Sequence, residues 1–204
     1  MSSIARPEIR PDAGPEPLDV PILVDGMTWR EFKAAEQLLA RPGVRLSFLN
    51  GVLEIRKMPG RKHETLKKRL AALVELYLMH LGVPFTPTGS MTLESEMGLV
   101  KREAGESYEI GLNRERPDLA IEVVISSGGI DKLAAYGQLK IPEVWFWNKG
   151  GLGVYELLNG KYEARDRSPL LPQLDLALLN DCMHVNSHVE ALQMGSLSLS
   201  VEKN

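Results

Sequence analysis

The run Leu119-Ala120-Ile121-Glu122-Val123-Val124-Ile125 constrains this chain more than any other stretch. It is nearly all apolar and rich in β-branched residues, with Pro117 before it and Ser126-Ser127-Gly128-Gly129 after it. That pattern predicts a central strand buried on both faces. Glu122 breaks it. A carboxylate buried in such a strand is costly unless cations or hydrogen-bond donors surround it. The remainder of the chain has to supply those partners.

At 204 residues, 44% hydrophobic and 25% charged, the chain can bury one substantial core and is short for two. One domain is expected over residues 22–192, with a proline-rich arm at 1–21 and a tail at 193–204. Twenty-four basic against 27 acidic side chains leave a net charge of -3, which argues against tight constitutive binding of nucleic acid over the whole surface. A local basic patch is compatible with it. The single Cys182 excludes an internal disulfide and suits a reducing compartment. No apolar run approaches the ~20 residues of a membrane span, and the first residues lack the apolar stretch of a signal peptide. The expected location is the cytoplasm.

Local signals set the order of elements. Thr28 and Glu31 form a capping box for a helix with the stripe Trp29, Phe32, Ala35, Leu38 and Leu39, stopped at Arg41-Pro42-Gly43. Asn50-Gly51 predicts a two-residue hairpin pairing Phe48 with Leu53 and Leu46 with Ile55. The opposite face then carries Arg45, Ser47, Glu54 and Arg56. A long helix from about Lys62 to Leu81 follows, with Glu64 and Lys68 at i,i+4 spacing and His63 on its apolar side. Two short strands are expected near 90–94 and 107–110, then the Glu122 strand, a helix over 130–140, three strands from Glu143 to Ala164, and a helix late in 170–191. Strands and helices in this order predict a mixed α/β (α+β) fold.

Three blocks resemble a known family. They are Asn50-Gly51-Val52-Leu53-Glu54-Ile55 leading to His63-Glu64; Gly89-Ser90-Met91-Thr92-Leu93; and Arg116-Pro117-Asp118 through Glu122 and Asp131-Lys132-Leu133 to Ile141-Pro142-Glu143-Val144-Trp145. Together they are similar to the Uma family of restriction endonucleases, a branch of the PD-(D/E)XK nuclease superfamily, over about residues 25–180. The resemblance implies a restriction-endonuclease-like core, a mixed sheet flanked by helices. It also implies a DNA substrate, Mg2+ or Mn2+ as cofactor, and a homodimer. Such enzymes hold the ion with an Asp and a Glu from neighbouring strands, with a Lys beside them. Glu122 matches the strand Glu. Val124 stands where the superfamily usually has the Lys, and Lys132 matches the relocated Lys of this family.

The Asp is absent. Asp118 completes the letters of the motif, but it lies four residues from Glu122 on one strand, about 13 Å away at ~3.3 Å per residue, too far to share an ion. The aligned segment of the preceding strand reads Glu103-Ala104-Gly105-Glu106-Ser107-Tyr108, with Gly105 at the Asp position. Glu106 next to it points to the other face of a regular strand, and Glu103 shares the parity of Gly105. Both remain candidate metal ligands with Glu122, and Glu106 joins Glu122 and Lys132 as a candidate catalytic residue. Two functions follow from the resemblance: a metal-dependent endonuclease with an altered site, or an inactive relative that binds or scaffolds. A weaker pattern, Cys182, His184 and His188 with Asp181, has two histidines at helical spacing but no second pair for zinc.

Overall fold

The pairing of β-branched runs with amphipathic helices produces two sheets and five helices among the residues described by the computed structural model, 20–95, 97–125 and 130–201. The arm at 1–19 and the Ser126–Gly129 turn lie outside these residues.

One sheet has five strands: β1 (Ile22–Val24), β2 (Val44–Leu49), β3 (Val52–Lys57), β5 (Thr92–Glu94) and β6 (Val100–Glu103), in the order β1-β3-β2-β6-β5. The other has six: β4 (Phe85–Pro87), β7 (Glu106–Ile110), β8 (Leu119–Val123), β9 (Glu143–Asn148), β10 (Gly151–Leu158) and β11 (Lys161–Arg165), in the order β11-β10-β9-β8-β7-β4. The helices are α1 (Trp29–Leu39), α2 (Arg61–Leu81), α3 (Lys132–Gln138), α4 (Leu176–His184) and α5 (His188–Val201). This mixed architecture is the expected restriction-endonuclease-like core.

Strand β8 is central, buried at every position, antiparallel to β7 and parallel to β9. The β8-to-β9 crossover runs through α3. Alternation along β8 sends Leu119, Ile121 and Val123 into one cluster with α2, α4 and α5, and Ala120 into another with α3. Glu122 shares the α3 face.

The capping box at Thr28 and the β2–β3 hairpin form as expected, with Phe48 opposite Leu53 and Leu46 opposite Ile55. Asn50 and Gly51 both take positive φ, 47° and 91°, as a type I′ turn requires. Phe32, Phe48 and Leu53 close a third small core, whereas Leu38, placed on the helix stripe by spacing, is 82% exposed. The polar face of the hairpin is not solvated. Ser47 and Glu54 are buried, because this face looks toward α3.

Strands β4 and β6 escaped the expected pattern. Pro87 and the charged run Val100-Lys101-Arg102-Glu103 masked them, although β6 alternates buried and half-buried positions. Between β6 and β7 the chain leaves one sheet for the other through Ala104-Gly105. At the C-terminus, residues 193–201, read as tail, continue α5. Among the described residues no helix is long and apolar enough to cross a membrane.

Candidate active site

Glu122 sits mid-strand on β8 with 2% of its surface exposed. Its Oε1 accepts from Arg102 Nη2 at 2.9 Å and Nε at 3.3 Å, and from the Tyr136 hydroxyl at 2.5 Å. Its Oε2 accepts from Lys132 Nζ at 2.9 Å. These are the partners that the buried carboxylate demanded. They converge because β6 brings Arg102 from the five-stranded sheet, while α3 presents Lys132 in its first turn and Tyr136 one turn later.

Helix α3 is held at this angle from two sides. The Asp131 side chain accepts from Ala134 N as N-cap, and Glu54 Oε2 accepts from Ile130 N at 2.9 Å, so the polar face of the hairpin anchors the approach to Lys132. The Arg102 guanidinium also lies 5.4 Å from the centre of the Tyr136 ring.

Electrostatics in this cluster follow from its charges. Burial alone would raise the Glu122 pKa, but Arg102 and then Lys132 outweigh it and hold the carboxyl well below the usual range. Lys132 shifts the opposite way from the usual salt-bridge partner. Desolvation lowers its pKa, Arg102 and Arg56 repel its charge, and Glu122 restores only part of the loss. Burial, reinforced by Glu122, raises the Tyr136 hydroxyl well above its ordinary value, so it stays a donor. Arg102 is held more firmly charged than usual because Glu122 overcomes its desolvation.

Of the expected site residues, Glu122 and Lys132 come together. Glu106 and Glu103 do not join them. Glu106 faces α2, where Lys68 reaches its Oε1 at 2.9 Å and Lys67 lies at 3.9 Å. Regular pairing of Glu106 with Ile121 places it on the face opposite Glu122. Glu103 pairs with Arg45 of β2 at 2.7 Å, and its neighbour Arg102 takes the inward position. Gly105 does stand level with Glu122: a Cβ built on it would lie 3.4 Å from Glu122 Cα and 2.4 Å from the Ile121 carbonyl oxygen. No side chain larger than hydrogen fits without a backbone shift.

Asp118 has a structural task, accepting from Ile110 N at 2.9 Å and from Arg114 Nε at 3.1 Å. Glu64 pairs with Lys67 at 2.8 Å rather than with Lys68 at i+4, because Lys68 turns to Glu106. His63 is half-buried and its Nε2 donates to the Val123 carbonyl at 2.9 Å; burial lowers its pKa against the pull of Glu64. The Cys182–His184–His188 pattern dissolves, since α4 ends at His184 and α5 begins at His188. Cys182 is buried among apolar side chains.

The donor set was then compared with the needs of Mg2+ or Mn2+. A magnesium site takes near-octahedral oxygen ligands at about 2.0–2.1 Å. Here one carboxylate is present, both its oxygens accept from a cation, and no carboxylate can stand at Gly105. Among the described residues no group of three His, Cys, Asp or Glu side chains could hold an ion. These residues do not fit a divalent metal.

Arg102 and Tyr136 were not foreseen. The signal for Tyr136 was its i+4 spacing from Lys132, and that for Arg102 was the alternation with Val100 in a segment read as polar loop.

Compared with known proteins, residues 29–186 match the family model Uma2, described as "Putative restriction endonuclease". No curated protein matches the chain.

Proposed function

The chain belongs to the Uma2 family of restriction endonucleases, and from that premise we propose that it engages DNA on the nuclease fold without hydrolysing it. The observation that carries this reading is the saturation of Glu122 by Arg102, Lys132 and Tyr136, with glycine at the position of the second carboxylate. A phosphodiester hydrolase of this kind needs a carboxylate free to hold an ion. The contact surface proposed for DNA is the N-terminal part of α2. Arg61, Lys62 and Lys68 are exposed there, and His63 fastens this turn to the end of β8. Cations at a helix N-terminus suit phosphate groups.

The test is fluorescence anisotropy with a labelled duplex in EDTA across a salt series. The proposal expects binding that weakens as salt rises and is the same when Mg2+ replaces EDTA. Binding that requires Mg2+, or none at low salt, contradicts it.

A second reading, a Mg2+-dependent endonuclease, is favoured by one observation: Glu122 and Lys132 reproduce the Glu and Lys of the motif in direct contact, at 2.9 Å. It predicts cleavage that is lost in Glu122→Gln.

A further inference from the structure

We infer that the Arg102 guanidinium is the resident cation of this centre, standing beside Glu122 where the nuclease fold would otherwise place a divalent ion. The inference rests on the non-hydrolytic reading above and says what replaced the metal. Arg102 and Glu122 are 4% and 2% exposed and belong to different sheets, so their contact ties the two sheets together. The guanidinium donates twice to Glu122 Oε1. A divalent ion would require a coordination sphere completed by a second carboxylate. An arginine needs only acceptors, and Glu122 supplies one.

Two departures from the nuclease pattern thereby acquire one cause. The chain crosses between sheets at Ala104-Gly105, with Gly105 pressed to within 2.4 Å, for a Cβ, of the Ile121 carbonyl oxygen. That close approach excludes an aspartate. It also leaves Arg102, three residues earlier on the same strand, as the cation source for Glu122. With Arg102 and Lys132 against one carboxylate, the cluster already carries an excess of positive charge before any metal arrives.

The experiment is thermal unfolding of the full chain with and without about 10 mM Mn2+, in the parent, Arg102→Met and Arg102→Met/Glu122→Gln. Methionine keeps much of the volume and removes the charge. The parent is expected to be indifferent to Mn2+. Arg102→Met is expected to gain roughly 3 °C or more in Tm with Mn2+, and the double variant to lose that gain. An Arg102→Met protein that folds and ignores Mn2+ overturns the inference. So does a parent stabilised by Mn2+ through Glu122. Should Arg102→Met not fold, paramagnetic broadening by Mn2+ in the parent decides the matter. Amides of Gly105 and Glu122 that stay sharp uphold the inference, and broadening centred on them overturns it. The anisotropy assay stands apart, so loss of DNA binding with these results intact would sink only the DNA reading.

Discussion

Gly105 and Glu122 lie back to back at the point where the chain passes between sheets, so close that a Cβ on Gly105 would come within 3.4 Å of Glu122 Cα. The neighbouring Ile121 carbonyl oxygen, at 2.4 Å, is the harder barrier, because it belongs to a strand that β7 and β9 hold on both sides. The missing carboxylate is thus built into the backbone.

Gly105→Ala therefore costs stability, roughly 2 to 3 kcal/mol for forced displacement in a packed interior. Chemical denaturation with an unchanged slope and a lower midpoint is the expected record. For the same reason Gly105→Asp unfolds more easily than the parent and does not create a metal site; a variant of parental stability would show that the strand has room.

Glu122→Gln leaves Arg102 and Lys132 charged in the interior without their counter-ion. The expected loss is about 3 kcal/mol, in the range for breaking a buried pair from one side. The pH dependence follows from the direction of the Glu122 shift. Its folded pKa lies below the reference value of 4.5, so its stabilisation is complete above 4.5 and is lost as pH falls through the folded value. Parent stability declines on acidification below pH 4.5, and the Glu122→Gln profile lacks this part of the decline. His63 adds a separate slope. Its folded pKa is lowered from 6.5, so the unfolded chain binds the proton first and stability falls as pH drops below 6.5.

Asp118→Ala separates the letters of the motif from its chemistry. Loss of the bond to Ile110 N costs about 1 to 2 kcal/mol, and the exposed Arg114 adds little. DNA binding by anisotropy is expected to be unchanged, since Asp118 makes no contact in the Glu122 cluster.

Lys68→Ala tests the proposed DNA surface. Lys68 is 69% exposed, and its removal alters stability by less than about 1 kcal/mol. Its loss should weaken duplex binding for all sequences and reduce the slope of log K against log salt by about 1.

The central strand, the Asn50-Gly51 hairpin and the α1 capping box were legible because each rests on a local rule that tertiary packing did not override. The pairing of Glu122 with Lys132 was legible through resemblance alone, since Val124 fills the usual Lys position. Arg102 was hidden because its strand, Val100–Glu103, is short and three-quarters charged, and a buried arginine leaves no periodic trace. The α4–α5 break was overlooked although Asn186-Ser187 marks it. Lys67, expected on the solvated face of α2, is buried because Glu64, Glu106 and Ser90 gather around it.

The most direct test of the account is a supercoiled-plasmid assay with the full chain, in Mg2+ and in Mn2+, run beside Glu122→Gln. A centre saturated by Arg102, Lys132 and Tyr136 predicts intact supercoiled plasmid with both proteins in both metals. Nicked or linear plasmid that appears with the parent, requires the metal and vanishes in Glu122→Gln would contradict it.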